Sequence, residues 1–121
     1  MALILIVDDS PTEVHVMKKA LEKGGFTTAT AGDGQEGVRL AREMHPDLIF
    51  MDIVMPGMNG YQATRAIVND PDTRQIPIVM VTSKGHDTDR VWGLRQGAVD
   101  YLVKPVSPDV LVEKAQSTLA A

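Results

Sequence analysis

Four places in this 121-residue sequence put reactive side chains at the ends of apolar runs. Asp8-Asp9 follow the run Leu3–Val7, Asp52 follows Leu48–Met51, Thr82-Ser83 follow Ile76–Val81, and Lys104-Pro105 follow Val99–Val103. Burying even a neutral polar group without a partner costs roughly 2–7 kcal/mol, so a charge carried to the end of such a run needs a compensating group. Three carboxylates meeting in one place repel each other and raise one another's pKa. A divalent cation and the Lys104 ammonium together would keep them ionised. A donor set of oxygens without histidine or cysteine selects a hard ion, Mg²⁺ or Mn²⁺. Asp9, Asp52 and the backbone carbonyl of Val54 would suffice as ligands, leaving Asp8 to act directly or through water. A metal, a lysine and a hydroxyl (Thr82) around one remaining carboxylate make apparatus for phosphoryl transfer onto that carboxylate.

Each of these features taken alone has an ordinary reading. Asp8-Asp9 would be a solvated loop, Asp52 a turn cap before Pro56-Gly57, Thr82 a β-branched strand residue, and Lys104-Pro105 a turn. The elements that must position them decide between the readings. Leu3–Val7 and Ile76–Val81 are almost continuously apolar, as strands buried on both faces of a parallel sheet are. Phe26–Ala31 is more polar and suits an edge.

Helix signals separate the runs. Ser10-Pro11-Thr12-Glu13 reads as a capping box with proline in the first helical position, followed by Val14, Met17 and Leu21 on one face and stopped by Gly24-Gly25. Asp33 and Glu36 open a second helix in the same way, ending near His45-Pro46. Asn59 caps a third, carrying Ala63 and Ile67. A fourth spans Asp87–Gln96 with Val91 and Leu94 facing in and Gly97 ending it. Ser107-Pro108-Asp109 starts a fifth, with Leu111, Ala115 and Leu119 along its stripe.

The pattern is (βα)5: a doubly wound α/β fold, five parallel strands in the order 2-1-3-4-5 within a flavodoxin-like three-layer αβα sandwich. That order makes the four strands with polar ends neighbours and leaves the second strand, which ends in Ala31-Gly32, outside. Half of a larger Rossmann-like fold is the weaker alternative.

The rest of the composition narrows the function. Residues 1–121 read as a single domain, with 44% hydrophobic and 23% charged residues. No apolar stretch approaches the roughly 20 residues of a transmembrane helix, so no membrane insertion is expected. The net charge is −4 and no Lys/Arg block stands out, which disfavours nucleic acid as a partner. Without cysteine there is no thiol nucleophile, and the cytoplasm is the expected location. His15, His45 and His86 show no metal-ligand spacing.

As a set, LILIVDDS, LIFMDIVMPGMNG, IVMVTS and DYLVKP resemble the blocks of the response-regulator receiver domains, in order and spacing, over essentially the whole chain. The resemblance implies that Asp52 accepts a phosphoryl group from a histidine kinase or phosphotransfer domain, with Asp8 and Asp9 forming the acidic Mg²⁺ site. It implies that Thr82 hydrogen-bonds the phosphoryl oxygens, that Lys104 pairs with them, and that Lys104-Pro105 is a cis peptide. Tyr101 matches the family's switch aromatic, which turns inward when Thr82 engages the phosphoryl group. Two further positions, Val54 and Lys84, tune phosphoryl lifetime in the family. Valine cannot hydrogen-bond an attacking water, so slow self-hydrolysis is expected. VDDSPTE, MDIVMPGMNGYQATR and VWGLRQGA are closer still to stand-alone regulators of twitching motility and taxis. No effector domain follows Ala121, so output is expected through protein contacts on the face formed by the fourth and fifth helices and the fifth strand. A receiver fragment of a transcriptional regulator, or a phosphate sink without output, are the alternatives.

Three rivals fit less well. A flavodoxin-like FMN binder wants a Ser/Thr/Gly-rich phosphate loop after the first strand, where Asp8-Asp9 would repel a phosphate. A haloacid-dehalogenase-type phosphatase needs two aspartates spaced by one residue, and these are adjacent. A receiver-like binding module without phosphoacceptor function usually lacks the acidic pair, the acceptor or the lysine, all present here.

Overall fold

A computed structural model describes residues 2–83 and 85–120. The elements alternate along the chain: β1 (Leu3–Val7), α1 (Pro11–Lys23), β2 (Thr27–Ala31), α2 (Gly34–Met44), β3 (Leu48–Met51), α3 (Gly60–Asn69), β4 (Ile78–Thr82), α4 (Asp87–Gln96), β5 (Asp100–Val103) and α5 (Pro108–Ala120). All strand pairs are parallel, and the order is β2-β1-β3-β4-β5. The (βα)5 sheet expected from the sequence is therefore the observed one.

Successive strand residues point to opposite faces, which divides the core in two. Leu5, Val7, Ile49, Met51, Ile78 and Met80 pack under α2, α3 and α4 with Val38, Ala41, Ala63 and Ile67. Ile4, Ile6, Leu48, Phe50, Val79 and Val81 pack against Met17, Leu21, Leu111 and Ala115 of α1 and α5. Strands apolar at every position are thus buried on both faces, and the polar β2 sits at the edge, as its composition requires.

Three local expectations need correction. β4 begins at Ile78 rather than Ile76, because Ile76 belongs to a turn (its N–H donates to Thr73 O at 3.1 Å) and Pro77 has no N–H to give to a ladder. Thr82 thereby becomes the last residue of the strand. On α4, Val91 and Leu94 do not face in: they are 48% and 43% exposed. The inward residues are Gly93 and Gln96. A Cβ on Gly93 would lie 3.3 Å from the Tyr101 ring and 3.4 Å from Met80, so α4 rests its bare backbone on Tyr101 and leaves no room for a bulky side chain there. Val91 and Leu94 fall on the side of α4 opposite Gly93 and Gln96, and Trp92 lies between the two sides.

The third correction concerns α1. Ser10 caps it, accepting from the Glu13 N–H at 3.3 Å, but the Glu13 carboxylate does not return to the Ser10 N–H. That N–H donates instead to Asp8 Oδ1 at 2.9 Å. The reciprocal capping box forms at α3, between Asn59 and Gln62.

Candidate functional site at the strand ends

The carboxyl ends of β1, β3, β4 and β5 bring their polar residues together, as the sheet order requires. Asp8 and Asp52 each follow the last residue of a strand, behind the buried runs 4–7 and Leu48–Met51, so both carboxylates are held by buried backbone. The Asp52 N–H continues the ladder, donating to Val7 O at 2.9 Å. Carboxylate oxygens of Asp8, Asp9 and Asp52 lie within 4.8 Å of one another. Lys104, one residue past β5, places Nζ 2.8 Å from Asp8 Oδ2 and 3.5 Å from Asp52 Oδ2, and the Lys104-Pro105 peptide is cis. The cis peptide implied by the resemblance is present.

These residues, with Ser10, Glu13, Ser83 and Pro105, line an open cavity of about 380 Å³. A larger groove, about 570 Å³, lies at the other end of the sheet, but its carboxylates are already engaged: Asp100 pairs with Lys114, and Asp47 accepts from the Leu3 N–H. The first cavity instead gathers three carboxylates around a single ammonium.

Burial pushes the Asp52 carboxyl above its ordinary value of 3.8. The Lys104 ammonium opposes this, the Asp8 charge adds to it, and hydrogen bonds from the Thr82 hydroxyl and the Ile53 N–H (2.8 Å) oppose it more weakly. For Lys104, burial lowers the value, but the bond to Asp8 and the charges of Asp52, Asp8 and Glu13 outweigh it, so the ammonium is held above its ordinary value. One consequence is measurable without any ligand. A carboxyl whose folded pKa lies above its unfolded one binds its proton more tightly when folded, so its contribution to stability is lost as pH rises from about 3.8 through the higher folded value. In chelator, Asp52→Asn is therefore expected to melt a few degrees above the wild type at pH 7, the difference narrowing as the pH is lowered toward 3.8. A variant no more stable at pH 7 contradicts this.

The donor set suits a hard divalent cation. It is all oxygen, two of its carboxylates share a single ammonium, and Asp9 makes no hydrogen bond or ion pair among the described residues. Asp8, Asp9, Asp52 and the backbone carbonyl of Val54 are the available ligands. The Val54 side chain is 56% exposed beside the acceptor and brings no polar group to it. Lys84, the other expected lifetime position, lies outside the described residues.

Thr82 is fully buried at the end of β4, where its hydroxyl helps to offset the upward push on the Asp52 carboxyl. Tyr101 already lies inward under α4, with the Arg90 guanidinium 5.6 Å from its ring centroid; burial pushes its phenol up to about 12. Trp92 is half exposed and meets Tyr61 edge-on, centroids 6.4 Å apart. The three histidines are at the surface, and Met51, Met55 and Met58 belong to the core and its margin. One residue at the site was missed from sequence. The spacing of Glu13 from Ser10 points to a helix cap, yet its carboxylate reaches to 4.0 Å from Lys104 Nζ.

The family model for the response regulator receiver domain matches residues 4–116. The chain is 52% identical over 120 residues to protein PilH of Pseudomonas aeruginosa, covering 99% of each. It is 40% identical over 116 residues to the DNA-binding response regulator MtrA of Mycolicibacterium smegmatis, where it spans only half of that protein's length. Among solved structures, the receiver domain of a Pseudomonas aeruginosa sensor histidine kinase, which has a magnesium ion coordinated in its active-site cleft, superposes with a TM-score of 0.92 at 32% identity, covering 99% of this chain and 98% of that one. No helix among the described residues is long and apolar enough to cross a membrane. A match spanning nearly the whole chain, on the fold and strand-end cluster described above, makes this protein a member of the response regulator receiver domain family.

Proposed function

We propose that residues 1–121 act as a phosphoacceptor unit, in which Asp52 takes a phosphoryl group from a phosphohistidine of a histidine kinase or phosphotransfer domain. The observation that carries this reading is the placement of one nearly buried carboxylate, Asp52, between an acidic pair and a lysine at 3.5 Å. An Asp52 carboxylate oxygen attacks phosphorus, the P–N bond to the imidazole breaks as the P–O bond forms, and the imidazole nitrogen leaves with its electron pair and takes a proton. Mg²⁺ held by Asp8, Asp9, Asp52 and the Val54 carbonyl would neutralise charge on the phosphoryl oxygens. Lys104 supplies a second positive charge and the Thr82 hydroxyl a donor to those oxygens. The chain is a signalling acceptor rather than an enzyme, with slow self-dephosphorylation at most.

Phosphorylation adds roughly −1.5 to −2 charges beside Thr82 and Lys104, which biases whichever arrangement of β4, β5 and α4 best meets them. Tyr101, lying between α4 and the sheet, is placed to carry that bias to the face of α4, β5 and α5. Output through protein contacts there, in control of twitching motility or taxis in the cytoplasm, is supported by the full-length likeness to PilH. The half-length match to MtrA favours a second reading, the receiver portion of a larger transcriptional regulator. A phosphate sink would share the acceptor chemistry and lack the output contact.

Incubation with acetyl phosphate and Mg²⁺, read by intact mass, tests the reading. A gain of one phosphoryl group that needs the metal is expected, and no gain under any condition overturns it. The same sample tests Val54, whose side chain cannot orient an attacking water. Val54→Asn is expected to shorten the lifetime of the phosphorylated chain, because its amide can hydrogen-bond and orient the attacking water where valine cannot. An unchanged or longer lifetime sinks the role assigned to Val54.

A further inference from the structure

Three helix starts in this chain carry a capping residue followed three positions later by Glu or Gln, and these three first-turn side chains end up in different places. At α3, Gln62 Oε1 accepts from the Asn59 N–H at 3.0 Å and closes the box. At α2, Glu36 Oε1 also turns back, accepting from the Gly32 N–H at 3.3 Å. At α1 the corresponding donor, the Ser10 N–H, is already held by Asp8 Oδ1 at 2.9 Å. Glu13 is thereby released from capping. Its Oε2 lies 4.0 Å from Lys104 Nζ, and its side chain, 46% exposed, stands at the mouth of the 380 Å³ cavity.

The consequence is electrostatic. Asp8 and Asp52 contact the ammonium from within, and Glu13 reaches it from the solvent side. With Asp9, four carboxylates then line a cavity that holds one ammonium. Glu13 is the most exposed of the three carboxylates on Lys104, so its charge is felt by a donor entering the cavity from solvent. A donor borne by a docked protein has docking contacts to offset that repulsion, and a small free donor has none.

We propose that Glu13 is a positioning and donor-selecting residue of the acceptor site, sharing Lys104 with Asp8 and Asp52 and discriminating against small donors in proportion to their negative charge. The inference rests on the reading of Asp52 as the phosphoryl acceptor. It follows that free acyl phosphates phosphorylate the chain a few-fold more slowly than they would without Glu13, while a phosphohistidine presented by a docked partner is less affected.

The test compares Glu13→Gln, Glu13→Asp and the wild type with two small donors in Mg²⁺. Acetyl phosphate is a dianion at neutral pH, and its P–O bond breaks to release acetate. Phosphoramidate is largely a monoanion, and its P–N bond breaks to release ammonia, the nitrogen taking a proton. At low ionic strength Glu13→Gln is expected to take phosphoryl from acetyl phosphate about two- to five-fold faster than the wild type, as expected for one unit charge acting on a dianion across several ångströms of water. The gain with phosphoramidate should be clearly smaller. Both ratios should approach one in about 1 M salt, where the screening length is about 3 Å. Glu13→Asp, which keeps the charge, should keep the wild-type donor preference, and Glu113→Gln on α5, an equal change of net charge outside the site, should change neither rate. A role confined to the start of α1 would lower the melting temperature but move both donors equally, so equal or salt-independent ratios overturn the proposal. If the wild type is phosphorylated on Asp52 and Glu13→Gln matches it, the role of Glu13 alone is overturned. If the wild type takes phosphoryl from neither donor, the acceptor reading falls and this inference with it.

Discussion

Lys104→Met is expected to destabilise the metal-free chain by about 3 kcal/mol or more, the usual cost of removing one partner from a buried ion pair. Asp8 is the reason. Its side chain is completely buried, and the lysine bond at 2.8 Å is its only cationic contact among the described residues. Asp52, nearly as buried and already pushed toward protonation, loses the same ammonium. The cost comes from stranding charge rather than from losing an attraction, so it should be largely reversible in the same chain. Adding Asp8→Asn preserves an acceptor for the Ser10 N–H and removes the stranded carboxylate, and the double variant should recover most of the loss. Denaturant melts of the two single variants and the double variant measure it. Losses that simply add would contradict the picture of Lys104 as the counter-charge of Asp8.

Gly60→Ala is the second change with a large expected effect. Gly60 opens α3 directly behind the acceptor, and its N–H donates to Ile53 O at 2.9 Å. A Cβ there would stand 2.0 Å from the Asp52 carbonyl oxygen and 2.8 Å from the Asp52 carbonyl carbon and Ile53 Cα. These are backbone atoms at the end of a buried strand, which cannot rotate away as a side chain would. The loop from Asp52 to Asn59 must therefore move. A destabilisation of about 3 kcal/mol is expected, the upper range for overpacking, together with misplacement of Asp52 and a drop in phosphoryl uptake of at least ten-fold. Gly93→Ala makes a useful contrast. Its Cβ would meet only side-chain atoms, at 3.3 Å and beyond, and a loss within about 1–2 kcal/mol is expected. Equal effects at the two glycines would sink the explanation by rigid backbone contact.

Much of this was legible in the residues. Strand order followed from which runs were apolar throughout and which was polar, because burial on both faces and a place at the edge demand different compositions. The assembly of Asp8, Asp9, Asp52, Thr82 and Lys104 then followed from that order, since each sits at the last residue of a strand or within two residues past it. What could not be read were choices between competing partners, one suggested by local spacing and another claimed in the folded chain. Ser10 to Glu13 has the spacing of a capping box, and nothing local reveals that Asp8 will claim the Ser10 N–H. Glu13 goes to Lys104, ninety-one positions away by sequence number, a contact only the closed sheet creates. The inward face of α4 was misread for a related reason. Val91 and Leu94 have core spacing, but Tyr101 fills the space beneath the helix and only Gly93 fits over it. The start of β4 was misplaced because apolar Ile76 is buried in a turn, and burial alone does not make a strand.

The central claim is that the carboxylate ending β3 is the phosphoryl acceptor, and chemical trapping addresses it most directly. An acyl phosphate on aspartate is reduced by borohydride to homoserine, which marks the acceptor permanently. After incubation with acetyl phosphate and Mg²⁺, borohydride reduction and fragmentation mass spectrometry should find homoserine at position 52, and none at positions 8 or 9. In Asp52→Ala no homoserine should form at any of the three. Homoserine at Asp8 or Asp9, or phosphoryl uptake that persists undiminished in Asp52→Ala, would contradict the account.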